Sequence, residues 1–219
     1  MTYDILKKTV GRRPFTIVEL DCDYCSNTFC GGLLSPQVGT CLANGGAGTE
    51  CYNTRATCQD PTNYTKTTKT YKYCSQMEGF PKGYGYVPCI AGKPNNPEFT
   101  STRINPGEGL GPRGQVRVHM REFTWPDRDC DPYWSTRTTT NGTYWGRFKA
   151  RNPYYSGRIM RVKTGFIDPA GYSENDFRTR TYFIHDISGP NISGDIVVTG
   201  KDLLTNTDPK KTECPITAN

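Results

Sequence analysis

Six of the ten cysteines fall within residues 21–60, at Cys22, Cys25, Cys30, Cys41, Cys51 and Cys58. Thiolates are soft ligands for zinc and for iron–sulfur clusters, and thiols pair as disulfides where the compartment is oxidising. The segment around them, DCDYCSNTFCGGLLSPQVGTCLANGGAGTECYNTRATCQD, is rich in glycine and poor in large aliphatic side chains. Such a segment buries too little apolar surface to offset the entropy lost on ordering. It therefore calls for a covalent or coordinate staple, and the thiols are the groups able to supply one.

Spacing narrows the choice without settling it. Cys22 and Cys25 form a CxxC pair, the half-site of many zinc ribbons, but no second CxxC completes it. A cubane cluster needs only four converging thiolates and accepts uneven spacing. By spacing alone, zinc and cluster stand level, with a set of structural thiols as the plain alternative.

The other chemically capable residues carry less. His119 and His185 each sit inside a strand pattern, where a lone histidine is usually packed or solvated. The chain contains no nucleophile elbow, phosphate loop or HExxH motif. Asp127, Asp129 and Asp131 lack the remaining positions of a calcium loop and read as a solvated turn. No carboxylate pair stands at a persuasive glycosidase spacing, and no enzymatic site is expected.

Composition sets the frame. The hydrophobic fraction is 34%, with 23 Gly, 16 Pro, 14 Tyr and 9 Phe in 219 residues, which points to a β-rich, loop-rich chain that completes its burial against partners. The net charge of +6 is spread over Arg12, Arg13, Arg117, Arg121, Arg147, Arg151, Arg158 and Arg161, without the compact basic patch of a nucleic-acid reader. The opening MTYDILKKTVGRRPF has no signal-peptide core, and no stretch is apolar enough to span a bilayer. A reducing compartment is expected, so metal ligation outranks disulfides, and the sequons at Asn63, Asn141 and Asn191 carry no information.

The elements that must position the thiols follow from periodicity. Residues 16–20 (TIVEL) form a strand running into the first cysteines, and 66–74 (KTTKTYKYC) an amphipathic strand. Residues 51–58 could make helical turns that place Cys51 and Cys58 on one face. Gly- and Pro-rich sequence fills 79–114, interrupted by short strands near 86–90 and 99–104. Residues 115–123 (QVRVHMREF) alternate as a half-buried strand, 143–151 make a short helix ended by Asn152-Pro153, and 158–167, 180–187 and 195–200 are strands. A division near Thr100 is expected: residues 1–100 carry the cysteine-rich part and 101–219 a β-rich part.

KKTVGRRPFTIVELDCDYCSNTF, CYNTRATCQD, ARNPYYSGRIMRVKTGFID and FIHDISGP followed by DIVVTGKDLL resemble the tail-tip, or baseplate hub, proteins of long-tailed phages, including the lambda-like tail-tip protein. The resemblance implies a mainly β fold with a barrel-like hub domain beside a loop-rich region. It also implies a 4Fe–4S cluster on four cysteines, the last two in C-x6-C. Carried onto this chain, the ligands are Cys25, Cys41, Cys51 and Cys58. Cys30 competes with Cys41 for the second place, and Cys74 or Cys89 is the next substitute. The implied role is structural, in a virion assembled in the host cytoplasm. The chain would form a homotrimer joining the distal tail protein to the central hub or fibre protein, with the tape-measure protein a further neighbour. The alternative class is a zinc- or disulfide-stabilised module that grips a receptor glycan through exposed Trp125, Trp134, Trp145, Tyr154 and Tyr155.

Overall fold

The computed structural model describes residues 3–8, 10–11, 13–27, 41, 54–56, 58–75, 85–92, 95–101, 104–105, 109–110, 114–123, 143–167 and 173–202. Elements in chain order are α1 (Tyr3–Leu6), β1 (Arg13–Cys25), β2 (Lys66–Cys74), β3 (Val87–Pro88), β4 (Glu98–Thr100), β5 (Ile104–Asn105), β6 (Gly109–Leu110), β7 (Gln115–Arg121), α2 (Tyr144–Arg151), β8 (Ile159–Ile167), β9 (Arg178–Ser188) and β10 (Asp195–Lys201). Eight strands form one sheet in the order β3-β2-β1-β8-β9-β10-β7-β4, and β5 pairs with β6 apart from it. Every neighbour in the large sheet is antiparallel except β2–β3.

The fold is mainly β, as composition implies, but the sheet is open. Its terminal strands, β3 and β4, do not pair with each other, so the expected barrel is not formed among the described residues. Both outer strands are very short, a common way of limiting the unpaired backbone that an edge exposes. Residues before and after Thr100 share this sheet: β1 runs beside β8 from Arg13↔Ile167 to Leu20↔Met160.

Alternation sends Val18, Leu20 and Cys22 of β1 to one face, with Val116, Val118 and Met120 of β7, Met160 and Val162 of β8, and Ile196 and Val198 of β10. The amphipathic helix α2 covers this face. Its Tyr144, Trp145 and Phe148 are buried, with Trp145 stacked on Tyr73 at 5.1 Å and Phe148 edge-on to Tyr71 at 5.0 Å. The Tyr73 and Tyr144 hydroxyls share a 2.9 Å hydrogen bond inside the core. Trp145, expected to be exposed for glycan contact, is fully buried because α2 turns it onto β2. The helix ends as expected at Asn152, whose backbone N–H and side-chain amide both donate to the Phe148 carbonyl.

The reverse face has a second, smaller core of Phe15, Ile17, Cys74, Tyr86, Ile167 and Phe177. Here Gly165 lies under the Phe177 ring: a Cβ at this position would stand 2.6 Å from Cδ1. Further along the same face the sheet becomes ionic. Glu19, only 4% exposed, accepts from Arg161 Nε at 2.8 Å and Lys163 Nζ at 2.7 Å. Asp21 accepts from the other two Arg161 nitrogens at 2.9 and 2.6 Å, and from the Thr70 hydroxyl at 2.7 Å. Lys163 also meets Glu174 at 3.0 Å. These contacts lock β1 between β2 and β8.

Candidate functional site

β1 runs as regular strand to Cys25, five residues past the stretch expected from sequence. The antiparallel register continues through Cys22↔Lys69 to Cys25↔Lys66. In an extended strand, positions three apart point to opposite faces. Cys22 accordingly joins the core under α2, while Cys25 is on the face of Glu19, Asp21 and Asp23. The CxxC pair is thus not a metal-binding knuckle, because both thiols would have to lie on one side.

A short frame holds the end of β1. The Ser26 backbone N–H donates to the Thr65 carbonyl at 3.0 Å, and Asn27 Nδ2 donates to the Asn63 carbonyl. A single 3-10 turn, Pro61–Asn63, follows Cys58, and Asn63 Nδ2 donates to Asp60 at 2.9 Å. Arg55 reaches the Pro61 carbonyl at 3.4 Å and lies over the Tyr64 ring at 5.5 Å. This frame brings Cys58 towards the end of β1.

Of the four expected ligands, Cys25 and Cys41 both lie within electrostatic range of Cys58. Cys25 and Cys41 are buried at 1% and 2% exposure, Cys58 is half-buried, and none of the three is in a disulfide. Burial pushes the Cys58 thiol up, a backbone hydrogen bond at Asp60 opposes this, and the nearby charges of Cys25, Cys41 and Asp60 raise it further. Tyr64 responds to the same surroundings. Burial first, then Asp23, Cys25 and Cys58, push its hydroxyl up to about 12 against the opposing effect of Arg55.

Cys51 lies outside the described residues, as do Cys30, Cys130 and Cys214. So do Trp125, Trp134, the 127–131 aspartates and residues 51–53 and 57; of the described residues in 51–58, Arg55 and Ala56 form a turn and none is helical. Among the described residues, no three Cys, His, Asp or Glu side chains are arranged to hold a metal ion. Cys74 and Cys89 are neighbours elsewhere, at the β2–β3 junction, where burial raises the Cys89 thiol and its sulfur contacts Met120 at 3.9 Å. By chemistry alone, Cys25, Cys41 and Cys58 are soft thiol donors of the type that a thiophilic centre takes. Deprotonation of the Cys58 thiol is opposed by burial and by the neighbouring Cys25, Cys41 and Asp60, and a cationic centre would relieve this.

Beside the thiols opens a cleft of about 430 Å³ between the α2 C-terminus and the end of β1. Tyr64, Arg55, Lys66, Arg158, Tyr154 and Tyr155 line it. Of the aromatics expected to be exposed, Tyr154 is 74% exposed and Tyr155 half-buried, its hydroxyl donating to Asp186 at 3.2 Å. The two histidines lie apart from this region. His119 is 3.4 Å from Glu98, and both histidines line a shallow depression over β7, β9 and β10.

Sequence reasoning missed the partners of the acidic β1 face. Arg161 read as one of the scattered basic residues and Lys163 was not singled out, yet the two alternate at period two like Glu19 and Asp21, and that matching pattern was the available signal. Comparison of the chain with protein-family models, curated proteins and solved structures found no match.

Proposed function

We propose that this chain is a structural subunit of a phage tail tip, with Cys25, Cys41, Cys51 and Cys58 holding a 4Fe–4S cluster. The cluster reading is supported by the Cys-rich, core-poor segment and by Cys25 and Cys41, from separate parts of the chain, lying within electrostatic range of Cys58. The assembly reading rests on the sequence resemblance. A bound cluster would supply iron–thiolate bonds to a segment with few apolar anchors, so that coordination energy becomes folding energy. The chain's own contribution is β1, braced by Arg161 and Lys163, which presents Cys25 from a rigid strand.

In the proposed assembly the chain forms a trimer between the distal tail protein and the central hub or fibre protein, near the tape-measure protein. The finer architecture, a barrel-like hub wall, would arise only between subunits, since the sheet within one chain is open. Anaerobic purification tests the cofactor: the protein should contain iron and acid-labile sulfide in equal amounts. Cys51→Ser or Cys58→Ser should remove the colour and lower solubility. A folded Cys58→Ser protein that keeps its iron, or a native protein that takes up zinc in place of iron, refutes the ligand set. Particle reconstruction tests the assembly, and finding this chain only along the tail tube refutes it.

A further inference from the structure

We infer that the cleft between the α2 C-terminus and the end of β1 binds an acidic saccharide. The inference is independent of the cluster reading, because none of its argument requires a metal at the thiols. The cleft measures about 430 Å³, within the usual range of small-ligand sites. A hollow of this size suits one or two sugar rings better than an extended peptide, which needs a groove or a free strand edge.

Its charge is one-sided. Arg55, Lys66 and Arg158 line it against Asp23, and Asp23 is already shared by Lys66 at 3.1 Å and by Arg158. Arg55 has no carboxylate partner among the described residues; it is held by the Tyr64 ring and the Pro61 carbonyl. An arriving carboxylate or phosphate meets a guanidinium that is positioned but not neutralised.

The hydrogen-bonding capacity is also unfilled. The Tyr64 hydroxyl is buried and has no hydrogen-bond partner among the described residues. With its pKa at about 12 it stays protonated at neutral pH and remains a donor. A buried hydroxyl without a partner is costly, and a ligand oxygen would satisfy it. At the rim, Tyr154 is 74% exposed and follows Pro153, so an aromatic face stands in water beside the cations. Aromatic rings next to charge-pairing and hydroxyl donors match the three parts of an acidic sugar: CH face, anion and hydroxyl groups.

The test is calorimetric titration of the full chain with a glucuronate-containing disaccharide, the matching neutral disaccharide and a glucose phosphate. An adenosine monophosphate and a glutamate-rich peptide serve as competitors of other classes. The acidic sugars should bind, with the carboxylate and phosphate arms showing which anion is preferred, and the neutral sugar should bind about tenfold or more weakly. Binding should also weaken as ionic strength rises. Tyr154→Ala and Arg55→Gln should each cost about five- to tenfold in affinity, and the thermal midpoint of Tyr154→Ala should stay within error. Tyr154 is so exposed that its loss leaves the core untouched, which separates ligand binding from folding. Equal binding of the neutral sugar, tighter binding of the nucleotide or peptide, no detectable binding of either acidic sugar, or affinity unchanged in both variants overturns the inference.

Discussion

Arg161→Met removes the cation at the centre of the ladder that braces β1. Three short hydrogen bonds disappear: one to Glu19 at 2.8 Å and two to Asp21 at 2.9 and 2.6 Å. Glu19 is only 4% exposed and keeps just Lys163 at 2.7 Å, so part of its charge is left uncompensated in a poorly hydrated place. Breaking a buried pair from one side costs roughly 3–5 kcal/mol. The Arg161 side chain is 27% exposed and Asp21 retains the Thr70 hydroxyl, so the lower end applies, about 3 kcal/mol. For a chain of this length that corresponds to a fall of about 6–12 °C in Tm. Urea unfolding followed by circular dichroism measures the loss, and a cycle with Glu19→Gln isolates the pair, with an expected coupling of about 1–3 kcal/mol. Exchange of β1 amides should accelerate up to Cys25, linking the ladder to the thiol site. A loss below about 1 kcal/mol with no coupling would mean that the ladder is a solvated surface pair, and the bracing argument fails.

Gly165→Ala should destabilise by about 1–3 kcal/mol, because the new methyl meets the Phe177 ring at 2.6 Å; calorimetry should show the cost partly relieved when Phe177→Leu is added. Burial raises the Glu174 carboxyl, but hydrogen bonds from Tyr86 and Lys163 outweigh this and hold it below 4.5. Its contribution is therefore present above that ordinary value and lost as pH falls through the lower folded value. The stability gap between the native protein and Glu174→Gln should close in acid, and a gap that widens below about pH 4.5 would contradict the sign. Mass spectrometry after alkylation should find Cys89 unmodified until unfolding, since it is 5% exposed and its thiol is raised by burial, whereas half-buried Cys58 should react and become protected once iron is bound.

Local pattern carried much of this molecule. The alternation of Val116, Val118 and Met120 marked β7, the KTTKTYKYC run matched β2 at both ends, and Asn152-Pro153 stopped α2 where the chain does turn. These features depend on side-chain period and on backbone preferences within a few residues, so they are written in the sequence itself. The opposite facing of Cys22 and Cys25 was also available there, since period two extends through ELDCDYC, and only ending the strand at Leu20 concealed it.

What the tertiary structure decided is which distant groups meet. Nothing local to Trp145 separates a buried ring from an exposed one; it is buried because α2 lies on Tyr73. Glu19 is separated from Arg161 by 142 positions, and their contact exists because β1 chose β8 as a neighbour. The open sheet, the placing of Cys25 and Cys41 within electrostatic range of Cys58, and the cationic cleft arise in the same way. Hydrophobic period specifies which face of each strand is buried, but leaves many partners equally acceptable. The pairing is selected by complementarity across long loops, summed over the whole sheet, and no short window of residues contains that sum.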